Sequence, residues 1–205
     1  MILSQSEFET KQAQQSLSAL VNNIRLCKAC EHKLPLAPKP IVQLNAKAKI
    51  LIAGQAPGSI AHHLGVAFQD KSGERLRDWM GIAEDEFFDP EKVAILPMGF
   101  CYPGKGKSGD LPPTSECAEL WRKKLLLPNI RITLLIGAYS QKWHLVDSNK
   151  KTLSATVENW QNYWPEQCPM PHPSPRNNIW LKKNAWFEKE LIPVLKDRIK
   201  SILNS

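Results

Sequence analysis

The sequence has no apolar run approaching the roughly 20 residues that cross a bilayer, which excludes a helical membrane span. It has no Walker-type phosphate loop and no serine nucleophile elbow, so neither phosphoryl nor acyl transfer is implied. Internal repeats and low-complexity tracts are absent too, which argues against a solenoid or a flexible linker. The opening residues MILSQSEFETKQ carry acids where a secretory leader carries cations ahead of an apolar stretch, so a cytoplasmic, membrane-free protein is expected. Cysteine is scarce, with five in 205 residues, and in a cytosolic chain that favours metal ligation or burial over a disulfide framework.

What is present is ordinary for a globular protein: 42% hydrophobic and 23% charged residues exclude a disordered chain. The length suits one domain spanning residues 1–205, expected as a monomer and able to bury a full core without staples. A net charge of +7 favours a polyanionic partner, because bound Lys and Arg release condensed counterions from nucleic acid. A generally basic, soluble surface is the plainer alternative.

Hydrophobic periodicity predicts an N-terminal helix over about Ser6 to Leu26, with Phe8, Leu17, Leu20, Val21 and Ile24 on its apolar positions. AKAKILIAG, VAILPM and ITLLIGAYS read as short buried strands, the first ending on Gly54 and the third on Gly137. Helices are expected over Ser72 to Ile82 with Ser72 as N-cap, after Thr114 or Ser115, from Tyr139, and over Lys151 to Tyr163. A long amphipathic helix is expected from Trp180 to Leu203, kinked or divided by Pro193. Alternating strands and helices imply an α/β fold: a three-layer α/β/α sandwich around a central, mostly parallel four-stranded sheet. Ligands in such folds bind beyond the carboxyl ends of the strands. The loops GQAPG (Gly54, Gln55, Ala56, Pro57, Gly58) and HPSPRNN both follow candidate strands and should face one crevice.

Taken alone, GQAPG is an anion loop or a strand-ending turn, and Phe68 is a core residue or an exposed stacking face. His172, set between prolines, is by itself a solvated loop residue. The stretch Ser174 to Asn178 is by itself the polar start of the last helix, with Asn178 as cap. Cys27 and Cys30 form a CxxC, Cys101 and Cys117 enclose a further 15 residues, and Cys168 stands alone. Two reduced, buried pairs or a metal–thiolate site both fit that spacing.

As an ordered set these motifs resemble the uracil-DNA glycosylase superfamily over about Leu26 to Leu195. GQAPG resembles the first motif of the thermophile-type, fourth family, and HPSPRN is similar to the second motif of the single-strand-selective monofunctional branch. The resemblance implies a DNA-repair enzyme that hydrolyses the N-glycosidic bond of uracil or another deaminated base in single- or double-stranded DNA. It implies that Phe68 stacks the extruded base and that His172 stabilises the departing anion. Gly54, Ala56, Pro57 and Gly58 would line the base pocket, Ser174 would grip phosphate, and Arg176 and Asn177 would fill the gap in the stack. It also implies a four-iron–four-sulfur cluster on Cys27, Cys30, Cys101 and Cys117, pinning the loop between the last two beside DNA.

Two places depart from the pattern, the first loop and the segment after the second strand. The fourth family has an acid where this chain has Gln55, and the best-known branch has Asp where it has Ala56. Asp70, just after Phe68, is then the nearby acid, so Asp70 or Gln55 is expected to position the water. Pro97 and Met98 occupy the place of the strand-borne Asn that reads the uracil edge. A DNA-binding protein of the same fold that excises no base is the alternative these departures favour.

Overall fold

In the computed structural model, residues 5–107, 109–125, 127–146 and 152–205 are described, without the side chains of residues 5–11 and 13. Four short apolar runs, each ending within two residues of a glycine or proline, form one sheet: β1 (Ile50–Ala53), β2 (Val93–Ile95), β3 (Ile132–Ile136) and β4 (Gln167–Met170). All pairings are parallel, in the order β2-β1-β3-β4.

The alternation of side chains along these strands explains why they are apolar throughout. Ile50, Ile52, Val93, Ile95, Leu134 and Ile136 enter one buried cluster, whereas Leu51, Ala94 and Leu96 enter a second on the opposite side. The helices supply both covers. In chain order they are α1 (Gln5–Arg25), α2 (Ser59–Leu64), α3 (Lys71–Met80), α4 (Glu84–Phe88), α5 (Glu116–Leu120), α6 (Ala138–His144), α7 (Leu153–Glu158), α8 (Asn178–Lys183) and α9 (Ile192–Leu203). Leu76 and Trp79 of α3 meet Leu195 and Ile199 of α9 over the first face, and Ile24 of α1 and Cys117 of α5 cover the second. The sandwich is therefore three-layered, as expected, with a sheet that is wholly parallel.

Several boundaries differ from the sequence reading. Helix α3 begins at Lys71 because Asp70, not Ser72, is its N-cap: the carboxylate accepts the Gly73 amide at 3.0 Å. Ser115 precedes α5 without a side-chain capping bond, and the helix stops at Leu120, passing into a 3₁₀ turn at Arg122–Lys124. Arg122 is drawn inward there, which breaks the helical face. The helix expected from Lys151 is α7, capped by the Thr152 hydroxyl; Lys151 itself and the Phe8 side chain lie outside the described residues. The last helix is divided rather than kinked. α8 ends at Lys183, a π turn spans Phe187–Leu191, and α9 continues directly from it at Ile192 with Pro193 in its first turn. Asn178 lies inside α8 and is no cap.

Candidate active site

The strand order reverses at β1, which has β2 on one side and β3 on the other, so the crevice opens at its carboxyl end. A cleft of about 760 Å³ lies there, lined by Gly54, Gln55, Ala56, Pro57, Gly58, Phe68, Asp70, Pro97, His172, Ser174, Arg176 and Asn177. The two loops singled out by their composition thus share one cavity. The first is pinned to the segment after β2: the Met98 amide donates to Gly54 O at 2.8 Å and the Gly99 amide to Gln55 O at 2.9 Å.

Phe68 has φ +58°, a left-handed conformation that bulky side chains rarely adopt. Such strain persists only where the surroundings over-determine it. Three contacts do so. The Phe68 carbonyl accepts from Arg77 Nη1 at 3.2 Å, its ring meets Phe87 edge-on at 6.0 Å, and Gly73 presses against its backbone. A Cβ on Gly73 would lie 1.6 Å from Phe68 O, so only glycine fits in the first turn of α3. The partly buried Phe68 ring therefore projects into the cleft from a rigid mount.

His172 is set by its own loop. The Ser174 amide donates to His172 Nδ1 at 3.1 Å, and Asn177 Nδ2 donates to His172 O at 2.7 Å. Arg75 of α3 braces the same loop through Ser174 O and Asn178 Oδ1. Burial pushes the His172 pKa below its ordinary value, against the charges of Asp70 and Asp110, while Arg176 adds to the lowering. The ring is therefore neutral near pH 7. With Nδ1 accepting a hydrogen bond, its proton sits on Nε2, which is left as a donor.

The expected water-positioning groups are partly engaged. Asp70 Oδ1 caps α3, and the Gln55 amide donates to Leu111 O at 3.1 Å. Asn177, expected beside Arg176 in the stack, instead spends its amide on the His172 loop. Arg176 is exposed at the rim, its guanidinium beside Gly109.

The CxxC and the Cys101–Cys117 pair come together away from Cys168, which is buried in the first core cluster on β4. Thr114 Oγ1 lies 3.5 Å from Cys30 Sγ and 3.9 Å from Cys117 Sγ. The Phe100 amide donates to Cys117 Sγ and the Trp121 indole N–H to Cys27 Sγ, both at 3.4 Å. None of the five cysteines forms a disulfide, and burial pushes the Cys101 thiol up to about 12. Among the described residues, no three His, Cys, Asp or Glu side chains are grouped to hold a single metal ion.

With this geometry in place, the decisive comparison is with family models: that of the uracil DNA glycosylase superfamily matches residues 41–196. The chain belongs to that superfamily. The matched span of this glycosylase-superfamily chain includes both cleft loops, Phe68 and Asp70, and two of the four clustered cysteines. Among solved structures, the solution NMR structure of a "putative Uracil DNA glycosylase" from Methanosarcina acetivorans is similar at 13% identity. That match covers 77% of this chain and 94% of the other, with a TM-score of 0.46.

Four features were not legible beforehand. Gly73 is one, although a glycine in the first turn of a helix is itself a signal. Arg75 is another, hidden among the polar positions of α3. Asp110 lines the cleft from the inter-cysteine loop, where it and Glu116 are the only acids. The last is a buried pair behind the Pro97 wall. Arg122 Nη1 donates to Leu96 O at 2.8 Å and Pro97 O at 2.9 Å, and Nη2 donates to His144 Nε2 at 2.9 Å. Desolvation lowers Arg122 to about 10 and His144 to about 4.

Proposed function

We propose that the chain is a monofunctional DNA glycosylase of the iron–sulfur branch, acting as a monomer on damaged single- or double-stranded DNA and removing uracil or another deaminated base. The observation that carries this reading is the shared cleft of Phe68 and His172, with Nδ1 of the histidine occupied by the Ser174 amide. A base inside a duplex is unreachable, so it must be extruded and stacked, and Phe68 offers the face. When the C1′–N bond breaks, its electron pair moves onto the base. A neutral His172 donating from Nε2 to the developing oxyanion acts preferentially on the transition state, worth about 3–4 kcal/mol. Water then adds to the sugar and an abasic site remains. Ser174 and Arg176 at the rim suit the phosphates and the gap beside the extruded nucleotide.

We propose a four-iron–four-sulfur cluster for the four cysteines, since such a cube takes one thiolate per iron. N–H donors to Cys27 and Cys117 are the partners that stabilise bound thiolate sulfur. When bound, the cluster supplies a cross-link between residues 27–30 and the 101–117 loop.

The test is incubation with oligonucleotides carrying uracil, hypoxanthine, xanthine or ethenocytosine, then alkaline cleavage. Scission at one of these lesions is expected. DNA binding without scission at any of them would instead support a binder that excises nothing.

A further inference from the structure

We propose that Asp110, carried into the cleft by the inter-cysteine loop, is the catalytic carboxylate that holds the attacking water and takes its proton. The proposal rests on the glycosylase reading above. Hydrolysis needs an anion near C1′, both to orient water and to offset the positive charge on the sugar. Three groups compete for that role. Asp70 has one carboxylate oxygen committed to the start of α3, and it is fixed there by the Gly73 amide. Gln55 has no basic atom, and its amide is bonded to Leu111 O. Asp110 lines the same cavity and has no ion pair among the described residues.

The loop is built to deliver it. A narrow turn is closed by the antiparallel bridge between Lys105 and Asp110, by Gly106 N to Gly109 O at 2.6 Å, and by Leu111 N to Gly104 O at 2.8 Å. Gln55 clamps this turn one residue beyond Asp110, which gives the glutamine a positioning role in place of an acid. Asp110 Oδ2 consequently lies 3.6 Å from where a Cβ on Gly58 would stand, over the first cleft loop. His172 feels the charges of both Asp110 and Asp70, so acid and donor face one space. The step balances without a co-reactant. The C1′–N bond breaks with its pair on the base, and water oxygen bonds C1′. The water proton passes to the Asp110 carboxylate, then to solvent, while the base anion takes a proton from water.

Single-turnover excision by wild type, Asp110→Asn, Asp70→Asn and Gln55→Ala tests the proposal. Asp110→Asn should slow excision about 100-fold to 10,000-fold and abolish the low-pH limb of the rate profile. Its affinity for DNA with a neutral tetrahydrofuran abasic site should not fall, since a negative charge facing the phosphates is removed. Gln55→Ala should slow excision less and keep that limb. Asp110→Asn cleaving at the wild-type rate, or Asp70→Asn alone losing the limb, would overturn the assignment. If wild type excises nothing, the glycosylase reading fails separately, and a cationic aza-sugar abasic analogue tests the residue directly. Wild type should bind it more tightly than the neutral site, and Asp110→Asn should not; equal preference in both proteins overturns the proposal.

Discussion

Replacing Gly73 with alanine tests how the cleft is held open, because the sign of its effect is unusual. At an unobstructed helical position, Gly→Ala stabilises by up to about 1 kcal/mol, since alanine loses less backbone entropy. Here the new methyl would stand 1.6 Å from Phe68 O, 2.5 Å from its carbonyl carbon and 2.9 Å from its Cβ. Two of those atoms are backbone, so no rotamer change relieves the clash. Phe68 must give up the φ of +58° that aims its ring at the cleft, or the first turn of α3 must open and release the Asp70 cap. Overpacking of this kind costs about 1–3 kcal/mol. For a chain of this size that lowers Tm by roughly 2–12 °C. The displaced ring should also weaken binding to DNA with an extruded base, since aromatic stacking contributes about 1–3 kcal/mol per base. Thermal denaturation followed by circular dichroism, with fluorescence anisotropy on a mismatched duplex, reads both effects. A Gly73→Ala protein as stable as wild type, or more so, would refute the claim that glycine is required by Phe68.

Stability should also fall with acid in a window set by His144. Its folded pKa of about 4 lies below the ordinary 6.5, so the unfolded chain binds the proton first. The contribution is complete above about pH 6.5 and declines by about 2–3 kcal/mol down to pH 4.5, and urea titrations of His144→Gln should lose that part of the slope. Arg176→Ala should weaken binding to abasic DNA more than to undamaged duplex in anisotropy titrations; equal losses would make it an ordinary phosphate contact. Protein purified without oxygen should be brown and absorb in the visible, and Cys101→Ser should abolish that absorbance. Cys168→Ala should keep it, because Cys168 lies in the sheet core, and loss there would show the ligand set to be wrong.

How far the sequence reveals this molecule depends on whether a residue's role is local. The strands are legible because both sheet faces are buried, which forces continuous apolar runs such as ILIA and ITLLI. The cleft loops are legible only as an ordered set, because a glycine or proline follows every strand of this sheet and GQAPG alone reads as a turn. The N-cap of α3 lies at Asp70 rather than Ser72 because the Asp70 carboxylate makes a charge-assisted bond to the Gly73 amide and so starts the helix at Lys71. A break in the terminal helix is expected at Pro193 but falls after Lys183, because hydrophobic periodicity survives a π turn that keeps Phe187 and Leu191 buried. Asp110, Arg75 and the Arg122–His144 pair stayed hidden because their partners lie far along the chain, and only folding brings them together.

The central claim is that His172 stabilises charge on a departing base, and single-turnover excision beside DNA affinity tests it most directly. His172→Ala should lower the excision rate on the order of 100-fold to 1,000-fold while leaving affinity for the damaged strand nearly unchanged. Single-turnover conditions matter, because slow release of the abasic product can mask a chemical defect. A His172→Ala protein that excises as fast as wild type, or that loses affinity and rate in equal measure, would contradict the account.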